Sequence, residues 1–184
     1  MKNSFLISTT KQFEYYKSLG EKTFNQLTFE ELQKEFVEDS NSICIIVKHL
    51  VGNMLSRWTH FLTEDGEKQW RHRDLEFVDT YISKEAVIED WNKGWKCLFD
   101  ALNELTEADL EHIIYIRNQG HTVTEAINRQ LSHYPYHVGQ IVFLGKLIKG
   151  KDWQSLSIPK GNSSKYNEEK FGKEKGKRHF TDEL

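Results

Sequence analysis

Apolar residues recur every three or four positions in four long stretches of the chain, separated by segments without this repeat. The repeat is typical of helices that bury one face and leave the other in solvent. The four stretches span residues 4–19, 43–61, 83–105 and 122–149. They predict four long amphipathic helices, of which the third, after Ser83, has the most regular apolar repeat.

Capping residues and glycines mark the predicted ends of these helices. Gly20 and Gly150 follow the first and fourth stretches, where a glycine favours termination. Thr122 and Glu125 form a capping box at the start of the fourth helix. The same pattern, Thr28 with Glu31, predicts a short additional helix after the first.

The segments between the stretches are less regular. Residues 63–82 are polar and lack a helical period, whereas residues 106–123 combine a strand-like run, HIIYIR, with the turn signal NQG. The second segment is either a small hairpin or an extended connection. Residues 63–82 are long enough for a crossover connection, so the second and third helices can run parallel.

These elements predict an all-α protein with a four-helix bundle. We expect the bundle to occupy residues 1–160, because the composition beyond Lys160 turns to Lys, Glu, Gly and Ser. Residues 161–184 are then a polar tail with little to bury, partly disordered by this interpretation.

The charge and composition narrow the class of protein. The 184 residues carry a formal net charge of −3, which favours neither a nucleic-acid surface nor a polybasic membrane anchor. No apolar segment reaches the length of a bilayer, and the N-terminus does not resemble a secretory peptide. We therefore expect a cytoplasmic protein. Cys44 and Cys97 favour two buried free thiols over a disulfide.

Three histidines are candidates for metal ligands. His133 and His137 are four residues apart, so their rings point the same way from the fourth helix, along the edge of its apolar stripe. His49 lies at the corresponding edge of the second helix. Three neutral imidazoles that leave a coordination position open suit Zn²⁺ or Ni²⁺. The alternative is a chance pair, since the chain has eight histidines.

Other residues near these histidines allow two interpretations each. Pro135 removes the helical hydrogen bond to Leu131 and is expected to kink the helix. The kink either fits the helix to the core or adjusts the angle between the two imidazoles. Asn53 and Gln140 either orient a ligand, bind water or contact substrate, or else have surface or capping roles. Four charged residues either bind an anionic group or hold a loop by local ion pairs. They are Arg57, Arg71, Arg73 and Asp74. The remaining histidines are expected to be solvated: His60, His72, His112, His121 and His179.

The segments KHLVGNM, with His49, and HYPYHVGQI, with His133 and His137, resemble the DinB-like superfamily of metalloenzymes. The resemblance covers nearly the whole chain and indicates a bacterial branch of unassigned function. It implies an up-down-down-up four-helix bundle, a homodimer, and zinc or nickel on the three histidines. Some members are S-transferases that use bacillithiol, mycothiol or glutathione, and others are isomerases.

The resemblance favours a metal-dependent enzyme acting on a small molecule, most simply a thiol-dependent S-transferase with bacillithiol or a similar thiol as cofactor. Two alternatives stay open. One is a hydrolase that uses a metal-activated water. The other is a homodimeric helical module that binds metal or ligand without catalysis, which the lack of a clear general acid or base beside the histidines favours.

Overall fold

A computed structural model of the chain describes residues 3–182 and is mostly helical. The helices are Ser4–Phe24 (α1), Phe29–Leu32 (α2), Ile43–Trp58 (α3), Lys84–Glu104 (α4), Val123–Lys149 (α5) and Ser163–Phe171 (α6). Two short strands, Ile113–Ile116 (β1) and Gln119–Thr122 (β2), form an antiparallel hairpin. None of the helices in these residues is long and apolar enough to cross a membrane.

The four long helices share one hydrophobic core. Helix α3 packs against α4 and α5, and α1 packs against the same two helices. Large aromatic side chains fill the centre of this core: Phe13, Phe24, Trp91, Trp95 and Tyr134. The predicted helical periodicity is therefore confirmed in all four stretches, and the hairpin is a small addition to a helical protein.

The predicted end of the first helix at Leu19 is wrong, because α1 continues through Gly20 to Phe24. Gly20 lies directly against the indole of Trp91, and a Cβ at this position would overlap the ring. The glycine is thus required for close packing between α1 and α4 rather than for a helix stop. Gly150, by contrast, ends α5 with a positive φ of 55°.

Both predicted capping boxes are present. The Thr28 hydroxyl accepts from the Glu31 amide at the start of α2. The Thr122 hydroxyl does the same for Glu125 at the start of α5, and both glutamates reach back to the cap amide. These contacts satisfy backbone donors that the first helical turn leaves without partners.

The segment 106–123 contains a hairpin, one of the two alternatives from the sequence, formed by residues 113–122. Arg117 and Asn118 occupy its tip with φ values of 55° and 61°, as a two-residue type I′ turn requires. The Asp65 carboxylate accepts hydrogen bonds from both of these amides, at 2.8 and 2.9 Å. The hairpin tip is therefore attached to the connection between α3 and α4.

That connection is irregular, as its composition predicts. Its one short helical element is the 3-10 turn Arg73–Phe77, which packs against α3. In the C-terminal region, α6 has no buried residue, while His179 hydrogen-bonds to Ser8 of α1 at 3.1 Å and Asp182 pairs with Lys11. A domain boundary at residue 160 stays a prediction.

Candidate metal centre

Three imidazoles from two helices converge on one point. His49 is buried on α3, and His133 and His137 are half-buried on successive turns of α5. The Nε2 atom of His133 lies 3.4 Å from that of His49 and 3.1 Å from that of His137. Within residues 3–182 no other group of three His, Cys, Asp or Glu side chains has this ligand-like arrangement.

Each of the three rings is oriented by an oxygen atom at its other nitrogen. The Nδ1 atom of His49 donates to the Glu76 carboxylate at 3.0 Å. His133 and His137 donate in the same way to the side-chain oxygens of Gln130 and Gln140, at 3.2 and 2.8 Å. A ring whose proton is held on Nδ1 by such an acceptor presents the lone pair of Nε2 to the common point.

Three lone pairs that face one another at this distance repel unless a cation lies between them. Tetrahedral ligands about 2.05 Å from zinc are separated by about 3.3 Å, close to the observed Nε2 separations of 3.1 and 3.4 Å. The donor set and its spacing therefore fit a divalent transition metal. These residues could hold such an ion with a position left for another ligand.

The surroundings of His133 and His137 favour the neutral form of both rings. Burial lowers the pKa of His133 to about 3, and the neighbouring charges of His137 and His49 add to this effect. Burial also lowers the pKa of His137, against the hydrogen bond to Gln140. Neutral imidazole is the form that binds a metal, so the lowered pKa values of His133 and His137 favour metal binding over protonation at these two rings.

Glu76 is the buried anion of the site and comes from the 3-10 turn Arg73–Phe77. Arg71 holds both of its oxygens, through Nε at 2.7 Å and Nη2 at 3.0 Å. Burial alone would raise the pKa of Glu76, but the hydrogen bonds of His49 and Arg71 and the charge of Arg71 outweigh it and lower the pKa. Glu76 is thus an ionised carboxylate that fixes the ring of His49.

The close approach of Glu76 to α3 depends on Gly52. A Cβ at this position would overlap the carboxylate of Glu76. Gly52 lies three residues after His49, on the surface of α3 that receives the 3-10 turn. The glycine in KHLVGNM therefore makes room for the acceptor that orients His49, the first candidate ligand.

A cavity of about 350 Å³ opens beside the three histidines. Its other polar lining is dominated by arginines from four segments of the chain: Arg57, Arg71, Arg73, Arg117 and Arg129. Among the described residues no Asp, Glu, Lys, Tyr or Cys lines it. The cavity therefore combines a candidate metal centre with positively charged walls.

Local ion pairs, one of the two interpretations of the arginines, are present for Arg57 and Arg71. Arg57 donates to the carbonyl of Gly66 and pairs with Glu67 at 3.2 Å, and Arg71 pairs with Glu67 and Glu76. For these two, the prediction of local ion pairs is confirmed. Asp74 is exposed and does not line the cavity.

A buried hydrogen-bond chain supports the floor of the cavity. The indole of Trp58 donates to the hydroxyl of Tyr134 at 3.0 Å, and this hydroxyl donates to Asn53 at 3.0 Å. Asn53 lines the cavity and is buried, so its predicted surface role is wrong. Tyr134 is adjacent to His133, and this chain couples the position of α5 to α3.

The remaining predictions can now be placed. Gln140 orients His137, one of its predicted roles, whereas sequence reasoning missed Glu76 and Gln130. His60, His72 and His112 are exposed as expected, but His121 and His179 are half-buried. Cys44 and Cys97 are free thiols as predicted, but only Cys44 is buried, whereas Cys97 is half-buried. Helix α5 continues through Pro135 without interruption.

Comparisons with known proteins give a family and no activity. A family model described as a protein of unknown function, DUF1572, matches residues 1–162. No curated protein matches the chain, and no solved structure does.

Proposed function

The chain belongs to the DUF1572 family, and from the geometry of its site we propose that it is a divalent-metal-dependent enzyme. In this proposal His49, His133 and His137 hold zinc or nickel. The observation that carries it is the convergence of three Nε2 lone pairs, each fixed by an acceptor at Nδ1. A histidine cluster with a structural role alone would not require all three lone pairs to face one point.

The reaction proposed is the transfer of a low-molecular-weight thiol, such as bacillithiol, to a small electrophile. When bound, a divalent metal lowers the pKa of a thiol or water placed in its open position. The described residues that line the cavity include no cysteine, carboxylate, lysine or tyrosine, so the protein itself offers no nucleophile there. The nucleophile is therefore exogenous, and the arginines and Asn53 bind and orient it.

The same proposal places the DUF1572 family within the DinB-like superfamily. The mutual packing of α1, α3, α4 and α5 around one core supports a four-helix bundle, and the long connection before α4 supports the up-down-down-up course. By this proposal the protein is a cytoplasmic homodimer that acts on a small molecule and not on nucleic acid.

Two other functions share the same metal centre. A metal-dependent hydrolase would use water in place of the thiol. A homodimeric module that binds metal or ligand without catalysis is favoured by the absence of a carboxylate, lysine or tyrosine from the described cavity lining. Both are separated from the thiol transferase by the assays below.

Metal analysis of the purified protein tests the centre before any substrate is known. We expect about one zinc or nickel per chain in the wild type, and loss of this metal in His133→Ala, because two imidazoles do not complete the site. His112→Ala is the matched control, since His112 is exposed and outside the cluster. Equal metal content in all three proteins would refute the centre.

Turnover then separates the reactions. The wild type is assayed with bacillithiol and 1-chloro-2,4-dinitrobenzene, and in parallel with an ester in the absence of thiol. Chloride release that needs both the thiol and the bound metal supports the transferase, whereas ester cleavage without thiol supports the hydrolase. Full metal content with neither activity over a panel of electrophiles and esters favours the non-catalytic module.

A further inference from the structure

The distribution of arginine in this protein is uneven. Six of the 25 basic residues are arginines and the other 19 are lysines. Five of the six arginines line the cavity beside the histidines, and among the described residues no lysine does. A planar guanidinium binds carboxylate and phosphate through paired hydrogen bonds, which a lysine ammonium cannot do. This selection of arginine indicates a ligand with such groups.

The carboxylates around the cavity do not balance these charges. Glu67 is shared by Arg57, Arg71 and Arg117, at 3.2, 3.5 and 3.0 Å. Arg71 is the one arginine of the cavity that pairs with Glu76, whose other partner is His49. Even with Asp65 at the hairpin tip included, five arginines face three carboxylates. The cavity retains an excess of two positive charges before any metal adds its own.

Two of the arginines have no carboxylate partner among the described residues. Arg73 and Arg129 are exposed and form neither an ion pair nor a side-chain hydrogen bond there. Arg129 lies one helical turn before His133, on the same face of α5. Arg73 begins the 3-10 turn that carries Glu76. Both arginines therefore belong to elements that position the proposed metal ligands.

We propose that this cavity binds a small molecule with two oxyanion groups, carboxylate or phosphate, through Arg73 and Arg129, next to the histidine centre. The volume of about 350 Å³ lies within the roughly 300–1,000 Å³ of small-molecule sites. The side chain of Arg117 is about half exposed and pairs with Glu67 through its Nη2 atom. It is therefore placed to contact the bound anion as well. The inference that this molecule is the substrate of an enzyme rests on the proposed function. The anion site itself does not depend on that function.

Isothermal titration calorimetry on the full-length protein tests the anion site. The probes are succinate, inorganic phosphate and, as a neutral control, succinamide, each at constant ionic strength, with chelator and with zinc. We expect succinate or phosphate to bind and succinamide not to bind. Whichever anion binds identifies the oxyanion class. The double variant Arg73→Gln with Arg129→Gln should weaken this binding at least tenfold.

Arg178→Gln is the matched control, because Arg178 is the one arginine outside the cavity lining. It should bind the anion as the wild type does. Anion binding that is absent, or that the double variant and Arg178→Gln alter equally, overturns the inference.

Metal content measured on the same samples keeps the two proposals apart. Arginine-dependent anion binding in a protein that takes up no metal supports the anion site and refutes the metal centre. Metal uptake without arginine-dependent anion binding supports the metal centre and refutes the anion site.

Discussion

Replacement of Gly52 by alanine is a sharp test of how the site is built. On an ordinary helix this change is favourable, by about 1 kcal/mol, because alanine restricts the unfolded chain and propagates the helix better. Here the added methyl would overlap the carboxylate of Glu76, which is buried and tied to His49 and Arg71. The carboxylate has to move, and its hydrogen bonds move with it.

The magnitudes predict the net result. A hydrogen bond to a charged group contributes about 1.5–3 kcal/mol, so the loss of one of those made by Glu76 exceeds the helical gain. We expect the metal-free Gly52→Ala protein to be about 1 kcal/mol less stable than the wild type. Loss of an acceptor that orients a metal-ligating histidine lowers metal affinity about 10- to 100-fold, and we expect a decrease in that range.

The assay pairs urea unfolding in chelator with a zinc competition titration. Gly139→Ala is the control, because Gly139 is also within a long helix and near a ligand, yet a Cβ there meets nothing within 4 Å. It should gain about 1 kcal/mol and keep its zinc affinity. If Gly52→Ala behaves like Gly139→Ala in both measurements, Glu76 does not orient His49 in the way described.

Three further predictions follow from buried groups. Tyr134→Phe removes a hydroxyl with two buried hydrogen-bond partners, so unfolding in urea should show a loss of about 2 kcal/mol with metal content unchanged; an unchanged midpoint would contradict the chain. Burial raises the pKa of Cys44 to about 12 and also raises that of Cys97. Both thiols should therefore resist iodoacetamide at pH 7.5 in the native protein and react in urea, and rapid native alkylation would refute this. In chelator, stability should fall as the pH is lowered from about 6.5 towards 3, because the unfolded chain then binds a proton that folded His133, with its lowered pKa, does not. His133→Gln should reduce this dependence in urea unfolding at pH 7.5 and 5.5, and an unchanged dependence would exclude His133 as a cause.

The helices could be predicted from the sequence because each buries one face, and burial on a helix repeats every three or four residues. Thr122 and Glu125 added a start point through local hydrogen bonding, which depends on residues three apart and not on the fold. Gly20 failed for the opposite reason. Its role is set by the ring of Trp91, 71 positions away, and no local pattern distinguishes a glycine needed for packing from one that ends a helix.

The candidate site shows the same difference between local contacts, which the sequence predicts, and tertiary contacts, which it does not. His133 and His137 are four residues apart on one helix, so their proximity is a local property, whereas the approach of His49 is a tertiary one that spacing alone cannot give. Gln130 and Gln140 lie three residues from the histidines they orient, a spacing at which helical neighbours meet. Orienting a ligand is one of the predicted roles of Gln140, and asking which side chains reach Nδ1 at that spacing would have found Gln130 as well.

Glu76 could not have been found in that way, because its segment has no period and its neighbours come from distant parts of the chain. It nevertheless links the two features of the cavity. Arg71 holds Glu76, which orients His49, and also contacts Glu67, the carboxylate shared with Arg57 and Arg117. The ion pairs that hold Arg57, Arg71 and Arg117 in the cavity wall are therefore connected to the candidate ligand His49. In the anion-site proposal, a bound anion that draws an arginine away from Glu67 would act on the histidine centre through this network, which would couple anion binding to the orientation of His49.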